Sequence, residues 1–311
     1  MSHNVETMFY VRTAPWHGLG VQVDEALSSE EALIKSGLNW QVKQRPILTN
    51  EGILIEGYKA NVRSSDNKIL GVVTDRYKVV QNSEAFAFTD DLLGQGVRYE
   101  TAGSMAEGKK VWILAKLPTA YIIGGERLSP YLVFSNSHDG SGAIKVAMTP
   151  IRVVCQNTLN LALSTADRIW TTNHTGDINA KLESARETFY RAENYMDALG
   201  NEIHKLNKIP MNDDLVIEMI NDLLPIPTDA SELQEKNVIR LRDDISLRYN
   251  QAPDLQLLPK NAYRFINAIS DFATHAKPLR ETATYRENLF ARTIEGNALI
   301  DKSYQLVKQI A

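Results

Sequence analysis

The hydrophobic periodicity of the chain changes near residue 177, and this change constrains the fold more than any other feature of the sequence. Before it, apolar and polar residues alternate over short runs such as 53–62, a pattern typical of half-buried strands. After it, apolar residues recur every three or four positions, most clearly over 178–206, which predicts an amphipathic helix. The sequence therefore predicts an α+β fold, with an antiparallel-sheet domain and flanking helices over 1–176 and an all-helical domain over 177–311.

Helix-capping and turn residues predict where the helices and strands begin and end. Glu31 lies three residues after Ser28, the spacing of a capping box, and Gly37 follows where that helix should end. Antiparallel strands and a second short helix are expected next, and strict strand–helix–strand alternation is missing. The helices expected after 178–206 cover 212–223, 230–247, 261–274, 279–292 and 295–309.

A hairpin is predicted where two strand-like runs flank Asp139-Gly140, because this dipeptide tolerates the positive φ of a tight turn. We define a candidate polar site from polar residues near the ends of these strands and one histidine of the N-terminal arm. Its residues are His17, Asn136, His138, Asp139 and Asn157. Neighbouring strand residues point to opposite faces, so His138 and Asp139 should not pair simply by adjacency. A structural role is the favoured interpretation for both.

The strand-to-helix turn around Cys155 carries two further polar residues, Arg152 and Asn157. Arg152 lies in an apolar run, and a buried guanidinium needs a partner, so both residues are predicted to anchor this turn. Cys155 would gain nucleophilicity at a helix start. Free cysteines more often behave as small core residues, so catalysis by Cys155 is the weaker interpretation.

Charge and composition limit the function classes. The net charge is −4, with 17 basic and 17 acidic residues up to residue 175 and 17 against 21 beyond it. A nucleic-acid surface would therefore be a local patch on the N-terminal half. One cysteine excludes an intrachain disulfide and a cysteine-based zinc site. No apolar run approaches the roughly 18–20 residues of a membrane span, and no secretory signal is evident, so a cytoplasmic protein without membrane association is expected.

No catalytic constellation supports an enzyme. Gly94-Gln95-Gly96 and Gly124-Gly125 are not part of the longer glycine pattern of a phosphate-binding loop, and no Lys-Ser/Thr follows them. No partner histidine or cysteine lies at metal spacing from His17. The sequence therefore predicts no metal, no cofactor and, with less force, no enzymatic activity.

Basic and aromatic residues on the predicted strands favour a different chemistry. A cationic groove with aromatic platforms is how proteins hold single-stranded nucleic acid without reading its sequence. The alternative interpretation is a solvated strand face above buried aromatic residues. The predicted nucleic-acid-binding set is Lys43, Arg45, Arg63, Arg76, Lys78, Lys109, Lys110, Arg152, Tyr77 and Trp112.

Several segments resemble a phage- and plasmid-borne family known only as a domain of unknown function. They are PWHGLG (15–20), DRYKVVQN (75–82), TAGSMAEGKKVW (101–112), SNSHDGSG (135–142) and IRVVCQNTLNLAL (151–163). The C-terminal segments NAYRFINAISDFATHAKPLR and EGNALIDKSYQLV are similar to that family as well. The resemblance covers nearly the whole chain and implies no settled activity.

The element order helix, antiparallel strands, helix over 28–93 is also similar to single-strand annealing recombination proteins of the RecT and Redβ kind. This similarity implies a homo-oligomer that binds or anneals single-stranded DNA in recombination. Two alternatives remain open. The first is a phage interaction protein that binds and inhibits a host defence enzyme, and the second is a nucleic-acid-processing enzyme that uses His17, His138 and Asp139.

Overall fold

A computed structural model describes residues 5–11, 21–94, 97–117, 121–123, 126–152, 169–278, 280, 282, 285, 288, 292 and 296–310. Its strands are β1 (Val5–Val11), β2 (Val21–Val23), β3 (Val42–Leu48), β4 (Leu54–Arg63), β5 (Ile69–Thr74), β6 (Arg98–Met105), β7 (Lys110–Lys116), β8 (Tyr121–Ile123), β9 (Glu126–Ser137), β10 (Ile144–Arg152) and β11 (Ile169–Thr172). Its helices are α1 (Ser29–Lys35), α2 (Asn82–Leu93), α3 (Ile178–Leu206), α4 (Asp213–Leu223), α5 (Glu232–Gln251), α6 (Pro253–Gln256), α7 (Ala262–His275) and α8 (Ala298–Gln309).

The described residues form two compact units. The first comprises those within 1–119, 130–148 and 167–192, and the second those within 120–129, 149–166 and 193–311. The second unit thus includes β8 as well as the helices from the later part of α3 onward. The domain boundary predicted at residue 176 stays a prediction.

The strands form two sheets. The larger has the strand order β11-β10-β9-β7-β6-β1-β2, and β8 pairs with the start of β9. The pairs β1–β6, β6–β7, β7–β9 and β10–β11 are antiparallel, whereas β1 and β2 run parallel. The smaller sheet is an antiparallel meander with the order β3-β4-β5.

The core of the first unit forms where α1 and α2 cover the sheets with apolar side chains. Ala32 of α1 and Phe86 of α2 are fully buried beside Phe9 and Tyr99 of the larger sheet. The Tyr99 hydroxyl donates to Asp90 Oδ1 at 2.6 Å, which satisfies a polar group that burial would otherwise penalise. The sequence-predicted capping box is present, because Ser28 N donates to Glu31 Oε2 at 3.0 Å.

The helical part of the second unit is organised around α7. Its residues 262–270 are all buried, including Arg264. This guanidinium donates to the carbonyl oxygens of Tyr249 and Leu258, at 2.6–3.0 Å, and lies over the Tyr249 ring. Asn212 and Asn261 cap α4 and α7 through their side-chain oxygens.

The predicted fold class is confirmed: an antiparallel-rich sheet with flanking helices precedes a helical C-terminal half. The predicted helix 178–206 matches α3, whereas the one predicted over 279–292 lies mostly outside the described residues. The parallel β1–β2 pair was not anticipated, because short strands carry little periodic signal. Within the described part of the chain, every helix is too short or too polar to cross a bilayer.

Candidate nucleic-acid interface

The smaller sheet has one buried face and one exposed face. In an antiparallel pair, residues directly opposite each other share a face. Lys43 lies opposite Val62 and Arg45 opposite Ala60, while Ala60 also lies opposite Val72. The second face is called the open face from here on. Its exposed residues are Lys43, Arg45, Tyr58, Ile69, Val72 and Thr74, and they surround the buried Ala60 and Val62 of the central strand.

Two cations follow one another along β3 on the open face. Lys43 and Arg45 are exposed, and neither side chain has an ion pair or a hydrogen bond among the described residues. Alternate residues of a strand lie roughly 7 Å apart on one face. Their charges are therefore available to an external anion.

An aromatic ring and aliphatic side chains complete the open face. Tyr58 is 50% exposed, and Ile69 and Val72 of β5 are 62% and 58% exposed. Tyr58 is one of the aromatic residues that the sequence interleaves with the basic strand residues, although the predicted binding set omits it. The signal that identifies it is the strand pairing, which puts Tyr58 opposite Thr74 and hence on the same side as Val72.

Arg63 is a correction to the predicted set. Its side chain is buried and donates to Glu6 at 2.7 Å and to Asp66 at 2.7 Å, and it lies 5.5 Å from the centre of the Trp40 ring. The hydrogen bonds to Asp66 and Glu6 raise the pKa of the guanidinium. The ion pair with Glu6 links β4 to β1. Because its guanidinium is already paired with two carboxylates, Arg63 is not available to bind phosphate.

Tyr77 and Trp112 are also corrections. Tyr77 is only 7% exposed; its hydroxyl donates to Ser137 O, and its ring stacks on His174 with centroids 4.4 Å apart. Burial, with a smaller contribution from the Asp139 charge, raises the pKa of Tyr77. Trp112 of β7 is 5% exposed. Neither ring can stack on a base, so the alternative of buried aromatic residues holds at these two positions.

The remaining predicted cations lie in two places. Arg76 and Lys78 are exposed in the segment that follows β5, where Lys78 N donates to His174 O at 2.7 Å. Lys109 and Lys110 are half-buried at the turn between β6 and β7 of the larger sheet. Lys43 and Arg45 are thus the two predicted cations on the open face.

The SHDGSG segment (137–142, starting at Ser137) forms a structural turn. Asp139 Oδ1 accepts from Ser137 Oγ at 2.5 Å and from Ser141 N at 2.9 Å, and Gly140 has φ +78°. Burial is the largest single influence on the pKa of Asp139 and acts to raise it. The hydrogen bonds from Ser137 and Ser141 together outweigh burial, so the pKa lies below its ordinary value. Asn136 donates to Val80 O at 3.1 Å.

His138 is enclosed and neutral. Asn82 Nδ2 donates to Leu38 O, so Asn82 Oδ1 faces His138 and accepts from the Nε2–H group at 3.0 Å. The Trp40 ring lies edge-on at 5.3 Å. Burial above all, and then the neighbouring His174, lowers the pKa of His138 to about 3. A fully buried neutral imidazole cannot exchange protons with a substrate at the surface, which removes the case for His138 as a catalytic base.

The turn packs tightly on the buried face of the smaller sheet. Asn61 of β4 donates to His138 O at 2.7 Å. A Cβ atom at Gly71 of β5 would lie only 2.5 Å from Asp139 Cα, so the two backbones approach as closely as glycine permits. This contact, called the junction from here on, fixes which face of the sheet is buried.

Four of the residues that the sequence singles out have no described side chain. His17, Cys155 and Asn157 lie outside the described residues, and only the backbone of Arg152 is described, as the last residue of β10. Their predicted roles stay predictions. Among the described residues, no group of three or more His, Cys, Asp or Glu side chains is placed to hold a metal ion.

The architecture defines an α+β protein with an exposed three-stranded meander. A family profile described as "Domain of unknown function (DUF932)" matches residues 69–294, so the chain belongs to that family. No curated protein and no solved structure matches the chain. The match includes β5 but starts after Lys43, Arg45 and Tyr58, so family membership carries no argument for the β3 and β4 part of the open face.

We predict that Gly71→Ala destabilises the protein by about 1–3 kcal/mol, because the added methyl group would force the junction apart. Urea unfolding followed by circular dichroism measures this loss. Val72→Ala, at the adjacent exposed position, is the matched control and should change stability by about 0.5 kcal/mol or less. Equal effects at the two positions would contradict the tight junction.

We predict that stability falls as the pH decreases from about 6.5 towards 3. The pKa of His138 is lower in the folded chain than in the unfolded chain, so the unfolded state binds more protons in this window. The lowered pKa of His174 acts in the same direction. Melting temperatures measured at several pH values for the wild type, His138→Gln and the exposed-site control His204→Gln test this. His138→Gln should flatten the pH dependence and His204→Gln should not; an unchanged profile in His138→Gln would count against it.

Proposed function

We propose that this protein binds single-stranded DNA on the open face and acts in strand annealing or recombination. The observation that carries the proposal is the coexistence of two unengaged cations, Lys43 and Arg45, with the exposed ring of Tyr58 on one face of one small sheet. Cations attract the phosphate backbone regardless of sequence, and aromatic rings stack on any base.

The apolar floor of the open face suits unpaired bases. Ile69 and Val72 are exposed on β5 beside the buried Ala60 and Val62 of β4. Duplex DNA would present only its charged backbone to so flat a surface, whereas a single strand can turn its bases towards it. Arg76 and Lys78, in the segment after β5, would extend the path of the strand.

The element order gives further support. Helix α1, the meander β3–β5 and helix α2 follow one another in the order for which the chain is similar to the annealing proteins, a similarity of element order alone. We also propose, from the sequence resemblance, that the chain is phage- or plasmid-borne and acts in the host cytoplasm. The net charge of −4 requires that any such binding depend on a local surface rather than on the whole molecule.

We predict that the protein binds a labelled oligothymidine and that the affinity falls between about 50 mM and about 200 mM salt. Lys43→Gln/Arg45→Gln should weaken binding and make the log–log salt slope shallower by about 1.4, since each phosphate contact on a single strand contributes roughly 0.7. Tyr58→Ala should cost about 1–3 kcal/mol of binding free energy if a base stacks on its ring. Fluorescence anisotropy measures all three quantities.

Two controls make this test specific. Lys236→Gln/Arg240→Gln removes the same charge from exposed positions of α5 and should leave binding and salt slope unchanged. Tyr77→Phe removes a buried hydroxyl and should lower the melting temperature without changing affinity. Undetectable binding by the folded wild type at low salt would overturn the proposal and favour a protein partner, such as a host defence enzyme, for the open face.

A further inference from the structure

Exposed apolar side chains cluster in sequence where β3 ends, at the connecting loop and at the start of β4. Residues 48–56, LTNEGILIE, are called the hairpin tip from here on. Leu48, Ile53 and Leu54 are 55%, 65% and 52% exposed, and Ile55 is 39% exposed. Single exposed apolar residues are common, whereas four of them within nine residues of one hairpin favour an interaction site.

The hairpin tip is acidic as well as apolar. Glu51 and Glu56 are its charged residues, and both are exposed. A hydrogen bond with the Thr49 side chain, and then one with its own backbone, lower the pKa of Glu51. Two negative charges would repel a phosphate backbone, so the tip itself is unsuited to nucleic acid and suited to a partner that is both apolar and basic.

The open face has the complementary properties. It presents Lys43 and Arg45 next to the exposed Ile69 and Val72. Both surfaces occur in every copy of the chain, and β3 and β5 form the edges of their sheet. Edges and apolar faces left exposed on a sheet are the places where protein chains associate.

We propose that the hairpin tip of one copy docks on the open face of a second copy, with Glu51 and Glu56 against Lys43 and Arg45 and with Ile53 and Leu54 against Ile69 and Val72. The two surfaces differ, so the contact is head-to-tail and repeats along a ring or a filament.

This contact has a consequence for DNA binding, which rests on the proposed function. A docked tip covers the same cations and apolar floor that a single strand would use. Self-association and single-stranded DNA therefore compete for the open face, and an oligonucleotide converts assemblies into smaller species. The self-association itself does not depend on DNA binding.

A charge exchange tests the contact. In Glu51→Lys/Glu56→Lys both surfaces are basic, and in Lys43→Glu/Arg45→Glu both are acidic, so neither variant should self-associate. Mixing the two restores opposite charges at every contact and should restore assembly. Light scattering after size-exclusion chromatography, over a wide range of protein concentration, measures the mass of the wild type, of each variant and of the mixture.

A second pair of variants separates the apolar contribution from a folding defect. Ile53→Ser/Leu54→Ser should raise the protein concentration needed for assembly at least tenfold relative to the wild type. Its melting temperature should be unchanged, because both side chains are exposed. Leu257→Ser, at an 82% exposed position in the helical half, should leave the mass unchanged. A wild type that is monomeric throughout, or a mixture that fails to assemble, would overturn the inference.

Failure of self-association can be distinguished from failure of the proposed DNA binding. A monomeric wild type that still binds oligothymidine overturns self-association alone. A wild type that assembles through the tip but binds no oligothymidine overturns DNA binding alone. If assembly and binding both occur, adding oligothymidine should reduce the measured mass, and a mass that increases with bound DNA would overturn the shared surface.

Discussion

The junction between the SHDGSG turn and the smaller sheet is the contact on which the rest of the candidate interface depends. Asn61 donates to the backbone of His138, and Gly71 lets the backbone of Asp139 approach closely. Because a strand has two faces and only one meets this turn, the junction decides that Lys43, Arg45 and Tyr58 face outward. Buried polar groups stabilise such a contact only when they are paired, and most of those at the junction are.

An ionic cluster around the buried Arg63 side chain, with partly exposed carboxylate partners, reinforces the same arrangement. Arg63 joins Glu6 of the larger sheet to Asp66, beyond the end of β4, and stacks on Trp40. Removing both carboxylates would leave the buried guanidinium without compensation, which is strongly destabilising. A basic residue on a strand is therefore weak evidence for ligand binding until its face is known.

The proposed function rests on an asymmetry within a single small sheet. Its buried face combines the paired polar residues Asn61 and Arg63 with Val42 and Val73. Its open face combines cations, an aromatic ring and aliphatic side chains, and its hairpin tip is apolar and acidic. In an acidic chain this combination supports a local interaction surface, with single-stranded DNA and a second copy of the chain as the ligands that the chemistry suits.

The sequence by itself determined the elements whose signals are local. The capping box at Ser28, the turn at Asp139-Gly140 and the helical period over 178–206 each depend on neighbours within a few residues. That Lys43 and Arg45 share one face of a strand also followed from alternation. Only the tertiary structure decided that Tyr77, Trp112 and Arg63 are buried while Tyr58 is exposed. Alternation separates the two faces of a strand, but which face is buried depends on the sheet or turn that packs against it, and that partner lies far away in the sequence.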